Sequence, residues 1–325
     1  RQQPRSTLFP YTTLFRSSDN GGSAWAIVNH WWGDGVPAAH ADKHWLTYRY
    51  NGDLFECNDG GVYLSSDNGT TWSDKSNGMV ISQMYKLGVS ATVSGEVITG
   101  LQDNGTKLLS GGSWLDVKGG DGMECLIDYT NVNIQYGTYV NGQISRTTNH
   151  WASSTNIQPA AAGSGAWVTP YIIDPVNPQT LYAGYADVWK TTNRGTSWTK
   201  ISTMNTAEKI RSLAIAPSNT QVLYAADPFM IWKTTNGETS WSNITGTLPV
   251  ASGTITSICV KHDDPATLWV SLGGYTNDRI YQSDNSGTSW YAVSEGLPPI
   301  PVYSIVQNKQ RSEEHTSELQ SPNTI

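Results

Sequence analysis

The carboxylates of Asp59, Asp103 and Asp121 are, by type and context, the side chains of this chain best placed to do chemistry. Each is followed by Gly or by Asn-Gly, so each belongs on a tight turn at the end of a strand. Two carboxyl groups facing one another across a cleft can share the acid and base work of glycosidic bond cleavage. The same Asp-Gly pairs also have a plain backbone reading, because Asp readily caps turn amides. A second group lies in the run HADKHW, where His40, Asp42 and His44 alternate as in a strand and would aim both imidazoles one way. That spacing permits a metal site but lacks the remainder of a zinc pattern, and it equally suits substrate contact or structural hydrogen bonding. Glu124, near Asp121, joins these three as a ligand-binding candidate. No metal or other cofactor is expected.

A repeat must position these groups. Ser65–Trp72 reads SSDNGTTW, Thr191–Trp198 TTNRGTSW, Thr234–Trp241 TTNGETSW and Ser283–Trp290 SDNSGTSW. The last three tryptophans are separated by 43 and 49 residues, and weaker copies occur near Trp114 and at RTTNHW, ending at Trp151. The chemistry of the motif is local and structural. Asp67, Asn193, Asn236 and Asn285 can turn their side chains onto backbone amides, with Ser65 as the hydroxyl before the first of them. Gly69, Gly195 and Gly287 permit a positive φ in the hairpin. Trp72, Trp198, Trp241 and Trp290 supply apolar plates between neighbouring sheets.

Ahead of each hairpin the same order recurs: strand, Pro-rich turn, strand, short turn, strand. Units of about 40 to 50 residues with four strands indicate propeller blades. The predicted fold is therefore all-β: a β-propeller of six whole blades, roughly 44–77, 85–118, 123–157, 168–203, 210–246 and 255–294. Ser18–Trp25 reads as the last hairpin of a preceding blade and Val302–Gln307 as the first strand of a following one. Closure as seven blades and membership of a larger array both remain open. In a meander, successive turns alternate between the two faces of the disc. Asp59, Asp103, Asp187 and Asp278 on the second turns thus share the face opposite the Asp-x-Gly hairpins with His40, Asp42, His44, Asp121 and Glu124 on the loops leading into blades.

These motifs resemble the Asp-box, or bacterial neuraminidase repeat, superfamily over nearly all of 18–309. Within it, HADKHW, NDGGVYLSSDNGTTW, GLQDNGT and GGDG are most similar to sortilin-type and xyloglucanase-type propellers of secreted bacterial proteins. The resemblance implies an extracellular or cell-surface location. Xyloglucanase-type enzymes carry a catalytic Asp in Asp-x-Gly-Gly-x-Tyr, and the run Asp59-Gly60-Gly61-Val62-Tyr63 is similar but one residue shorter. Sialidases use an arginine triad and an Arg-Ile-Pro motif. Only Arg49, Arg146, Arg194, Arg211 and Arg279 lie between the tails, and no Arg-Ile-Pro is present.

The two ends differ in character from this interior. TLFPYTTLFRS at 7–17 and RSEEHTSELQS at 311–321 look like translated sequencing adapters, so 1–17 and 310–325 are expected to be non-native tails around a propeller fragment, 18–309. The chain has 20 Lys and Arg against 27 Asp and Glu, a net charge of −7. Such a balance argues against nucleic acid as a partner. No apolar run reaches the roughly 20 residues of a membrane span, so insertion of this segment is not expected. Cys57, Cys125 and Cys259 each lie in an apolar strand-like run and read as free, buried thiols.

The expected function is a secreted or surface-attached module that binds a polysaccharide or a protein through the face opposite the hairpins. One alternative is an endo-xyloglucanase-like glycoside hydrolase using a pair among Asp59, Asp103 and Asp121. Another is a structural repeat of a large adhesin.

Overall fold

The structure, a computed structural model, describes residues 14–18, 20, 23–79, 82–204, 206–238, 240–275 and 278–307. Of the tails expected at 1–17 and 310–325, residues 1–13 and 310–325 lie outside the described residues, as do 308 and 309 and residues 19, 21 and 22 of the hairpin proposed at 18–25. Among the described residues there are six four-stranded antiparallel sheets and one two-stranded sheet, each four-stranded sheet built from strands consecutive in the chain. This is the blade of a β-propeller, and the sheets span 43–74, 84–118, 125–156, 171–200, 212–243 and 255–292. No helix among the described residues is long and apolar enough to cross a membrane. The three cysteines are free, and burial pushes the Cys125 thiol well up.

The chain divides into two compact units, Arg1–Gln83 with Gln102–Asn104, and Met84–Leu101 with Gly105–Ile325. The second unit holds five sheets and a layered apolar core. Three of its second strands are buried along their whole length: LYAG of Leu181–Gly184, LYAA of Leu223–Ala226 and LWVSL of Leu268–Leu272. Burial on both faces explains why they read as continuous apolar runs without alternation. Four of the apolar clusters are each shared by two sheets in succession. Ile98 and Leu108 meet Cys125 and Ile127, Tyr136 and Ile144 meet Tyr171 and Leu181, and Tyr182 and Val188 meet Leu213 and Leu223. Each such side chain contributes about 1.5–3 kcal/mol by leaving water. Close approach of the sheets also needs missing side chains: a Cβ on Gly100 would stand 2.1 Å from the Met123 carbonyl oxygen.

The repeated hairpins are closed by their own polar atoms. The hydroxyl of Ser65, Thr191 or Ser283 accepts the amide of Gly69, Gly195 or Gly287 at 2.7, 3.0 and 2.8 Å. The Oδ1 of Asp67, Asn193 or Asn285 accepts the amide four residues on, at 2.8, 2.9 and 2.9 Å. In the TTNGETSW hairpin Asn236 instead accepts the amide of Glu238, two residues on, at 3.1 Å. Three tryptophans then tie their hairpin to the preceding sheet: Trp198, Trp241 and Trp290 donate Nε1–H to the carbonyls of Ile157, Ile201 and Ile244 at 2.6, 2.7 and 3.0 Å. Trp72 donates within its own hairpin, to Gly69 O at 3.1 Å. Near the C-terminus, 302–307 forms no strand, yet Val302 and Ile305 are buried against Trp269 and Ile280.

The first unit is built differently. Leu14–Ser17 pairs with Ala26–His30, and the four-stranded sheet comprises Lys43–Tyr48, Leu54–Asn58, Gly61–Ser65 and Ser73–Asp74. Its buried residues are mostly polar. Beside Leu54 and Ala39 stand Asn29, His30, Lys43, Glu56, Asn58 and Ser65. In Leu54–Asn58 the inward phase reads Leu, Glu, Asn.

Candidate functional site

The polar interior of the first unit supports a cluster of acids. One carboxylate oxygen each from Asp42, Asp59 and Asp103 lies within 4.8 Å of the other two, and all three residues are half-buried. They arrive from three separate segments. Asp42 is on the loop leading into Lys43–Tyr48, Asp59 on the turn between Leu54–Asn58 and Gly61–Ser65, and Asp103 on the turn Gln102–Asn104. Asp42 and Asp103 both adopt positive φ, 53° and 58°.

Hydrogen bonds lace these segments together. His40 Nε2 stands 2.7 Å from Asp103 O, and its Nδ1 3.2 Å from Ala41 O. Asn104 Nδ2 donates to Asp59 O at 3.3 Å. The His40 side chain packs against Gly60, so close that a Cβ there would be 2.5 Å from it. His44 Nε2 pairs directly with Asp59 Oδ1 at the surface. The alternation expected of His40, Asp42 and His44 does not hold. The strand begins only at Lys43, the left-handed residue Asp42 breaks the pleat before it, and the two imidazoles go to different partners.

What sets Asp59 apart is which side chain caps its turn. Elsewhere Asp side chains cap their own turns: Asp174 accepts Val176 N at 2.8 Å, Asp227 accepts Phe229 N at 2.7 Å and Asp264 accepts Ala266 N at 2.9 Å. Asp67 does the same, and hydrogen bonds from Thr71 and Ser65 hold its carboxyl down at about 2. At the Asp59–Gly60 turn the capping role has passed to Asn58, whose Oδ1 accepts Gly60 N at 3.0 Å. Asp187 and Asp59 occupy equivalent turns, yet Asp187 is spent on Ser202 Oγ and Met204 N.

Beneath the cluster lies a buried ion pair that the sequence reading overlooked. Lys43 Nζ is 2.5 Å from Glu56 Oε1 and donates to the carbonyls of His40 and Ala39 at 2.6 and 3.3 Å. Asn29 and Asn58 donate to Glu56 at 2.5 and 2.9 Å. Desolvation pulls the Lys43 ammonium below its ordinary value, against the pull of Glu56. One signal was available: Glu56 and Asn58 fall in phase with Leu54, on the inward side of their strand.

Asp121 and Glu124 belong to the second unit. Asp121 is half-buried, and the following Gly122 donates its amide to Leu101 O at 2.9 Å. Glu124 is half-buried at the start of Cys125–Ile127. Desolvation pushes its carboxyl up to about 7, opposed by the charge of Lys86.

Chemically, three convergent carboxylate oxygens can accept hydrogen bonds from the hydroxyls of a sugar, or act as hard ligands for a divalent cation. No family model matches the sequence, and no curated protein matches it. Solved structures do. The chain is similar to an ancestral GH74 enzyme, with 20% identity, a TM-score of 0.53 and coverage of 78% of this chain and 38% of that one. It is also similar to the GH74 enzyme of Niastella koreensis, with 17% identity, a TM-score of 0.53 and coverage of 76% and 44%. A chain of the mitotic checkpoint complex matches at 10% identity, with a TM-score of 0.51 and coverage of 81% and 79%. This chain thus spans less than half the length of either GH74 enzyme. At these identities the likeness speaks for the fold alone, and the fold is that of a β-propeller.

Proposed function

We propose that the chain is a polysaccharide-binding β-propeller module of an extracellular or surface-attached protein, with the ligand held at Asp42, Asp59 and Asp103. One observation carries this reading: three carboxylates from three segments converge within 4.8 Å, and the turn amide beside Asp59 is capped by Asn58. Paired carboxylate oxygens suit the vicinal hydroxyls of a sugar ring, each accepting a charge-assisted hydrogen bond. The half-buried setting strengthens such bonds relative to open water. Asp121 and Glu124 stand outside this proposal.

A second reading, glycoside hydrolysis, is favoured by the separation of Asp59 and Asp103. Oxygens within 4.8 Å approach the roughly 5–5.5 Å carboxyl spacing of retaining glycosidases. Similarity to GH74 enzymes supports it at the level of fold. In that case one carboxyl would protonate the leaving oxygen and the other would attack the anomeric carbon.

The test is electrophoresis of the chain through gels containing xyloglucan or other neutral polysaccharides, with assay of new reducing ends. Retardation that disappears in Asp59→Asn and Asp42→Asn is the expected result. Reducing ends that appear with the chain and vanish in Asp103→Asn would move the conclusion to hydrolysis. Neither retardation nor reducing ends across the panel would overturn both readings.

A further inference from the structure

We infer that the buried Lys43–Glu56 pair is the positioning device of the carboxylate cluster, an inference that rests on the polysaccharide-binding reading of that cluster. An ammonium has three protons, and Lys43 has three acceptors: Glu56 Oε1 and the carbonyls of His40 and Ala39. The last two belong to the loop that carries Asp42. The same Glu56 oxygen, Oε1, also accepts from Asn58 Nδ2 at 2.9 Å, and Asn58 in turn holds the amide of Gly60 at 3.0 Å. Asp59 lies between those two residues. A single buried charge pair therefore reaches both segments, through side chains that are 1% and 0% exposed at Lys43 and Glu56. Asp103 is tied to the first segment by His40 and to the second by Asn104.

Stability alone does not account for such a pair. Removing two charges from water is costly, and apolar residues of similar volume often stabilise a core equally well or better. An apolar pair could not bind two carbonyls and an asparagine amide at once. That capacity is what the site uses, in the way outer-shell groups orient the ligands of a metal centre.

The experiment compares Lys43→Met/Glu56→Leu with the unaltered full chain. Replacing both partners leaves no lone buried charge, so the fold is expected to persist by circular dichroism and thermal melting. Exchange of the Gly60 amide should accelerate by about tenfold or more, and retardation by xyloglucan should weaken by a factor on the order of ten. Asn58→Ala provides a second variant, cutting the link between Glu56 and Gly60 while leaving the ion pair whole. It should accelerate Gly60 exchange and weaken retardation in the same sense, and it decides the matter if the double variant fails to fold. Unchanged Gly60 protection and unchanged retardation in a folded variant would overturn the inference. If the unaltered chain binds no polysaccharide, the function proposed above falls, while the exchange measurement still tests the positioning.

Discussion

His40 Nε2 lies 2.7 Å from the carbonyl oxygen of Asp103, a residue 63 positions further along the chain. A carbonyl can only accept, so this nitrogen is the donor of the contact and the imidazole acts as a strut between the two segments. The ring was a ligand candidate by sequence. In the structure both of its nitrogens face backbone carbonyls.

Replacing His40 by Ala should therefore loosen the 102–104 turn without unfolding the chain. The loss of stability is expected to be about 1 kcal/mol for the hydrogen bond, with some added cost for the emptied space against Gly60. Denaturant unfolding measures the stability, and gel retardation should show weaker binding of polysaccharide.

Gly60→Ala addresses the same contact from the other side. The new methyl would meet the His40 Cβ, Cγ and Cδ2 at 2.5–2.6 Å, too close for any real contact. Overpacking of this kind costs about 1–3 kcal/mol. A lowered melting temperature together with weakened retardation is the expected outcome. A variant with unchanged melting and unchanged retardation would show that the ring moves aside at no cost.

The Ser65–Trp72 hairpin should be the acid-sensitive one among its kind. Hydrogen bonds from Thr71 and Ser65 depress the Asp67 carboxyl from its ordinary value to about 2. A carboxyl lowered in the folded state adds stability above its unfolded value near 4, and that stability is lost as pH falls toward 2. Exchange of the Thr71 amide should accelerate over that window. The hairpins closed by Asn193 and Asn285 have amides in the equivalent place, so the Ser197 and Ser289 amides provide the internal control.

Glu124 predicts the opposite slope. Desolvation raises its carboxyl to about 7, so the folded chain keeps a proton that the unfolded chain has released. Stability from this group is present below about 4.5 and is lost as pH rises through 7. Glu124→Gln should abolish that decline and stabilise the chain at pH 8 by on the order of 2 kcal/mol, with Lys86 tempering the gain. Urea unfolding at pH 5 and pH 8 checks both parts.

Trp198→Phe isolates the tie between hairpin and preceding sheet. The apolar plate is largely retained, while the Nε1 donor to Ile157 O is lost and the carbonyl is left wanting. A loss of about 1–2 kcal/mol is expected in equilibrium unfolding. Trp72→Phe should cost less, because Trp72 donates only within its own hairpin.

The architecture was legible in the sequence because its determinants are local. A hydroxyl, an Asx residue and a Gly close the Thr191–Trp198 hairpin with their own atoms, and its Trp ties it to the sheet before, so the blade is written largely in that eight-residue run. The candidate site was only half legible for the converse reason. Sequence context grouped Asp59 and Asp103 with Asp121 because all three precede tight turns, and it set Asp42 apart with the histidines. Which carboxylates converge depends on a left-handed Asp42, on the His40 strut to Asp103 and on a buried Lys43–Glu56 pair, none of which a local pattern specifies. An Asp before Gly is equally fit to cap its turn or to leave it. At Asp67 the carboxyl turns inward to Thr71, and at Asp59 the neighbouring Asn58 takes the amide instead. That choice is made by contacts between segments distant in the chain, and only the folded arrangement decides it.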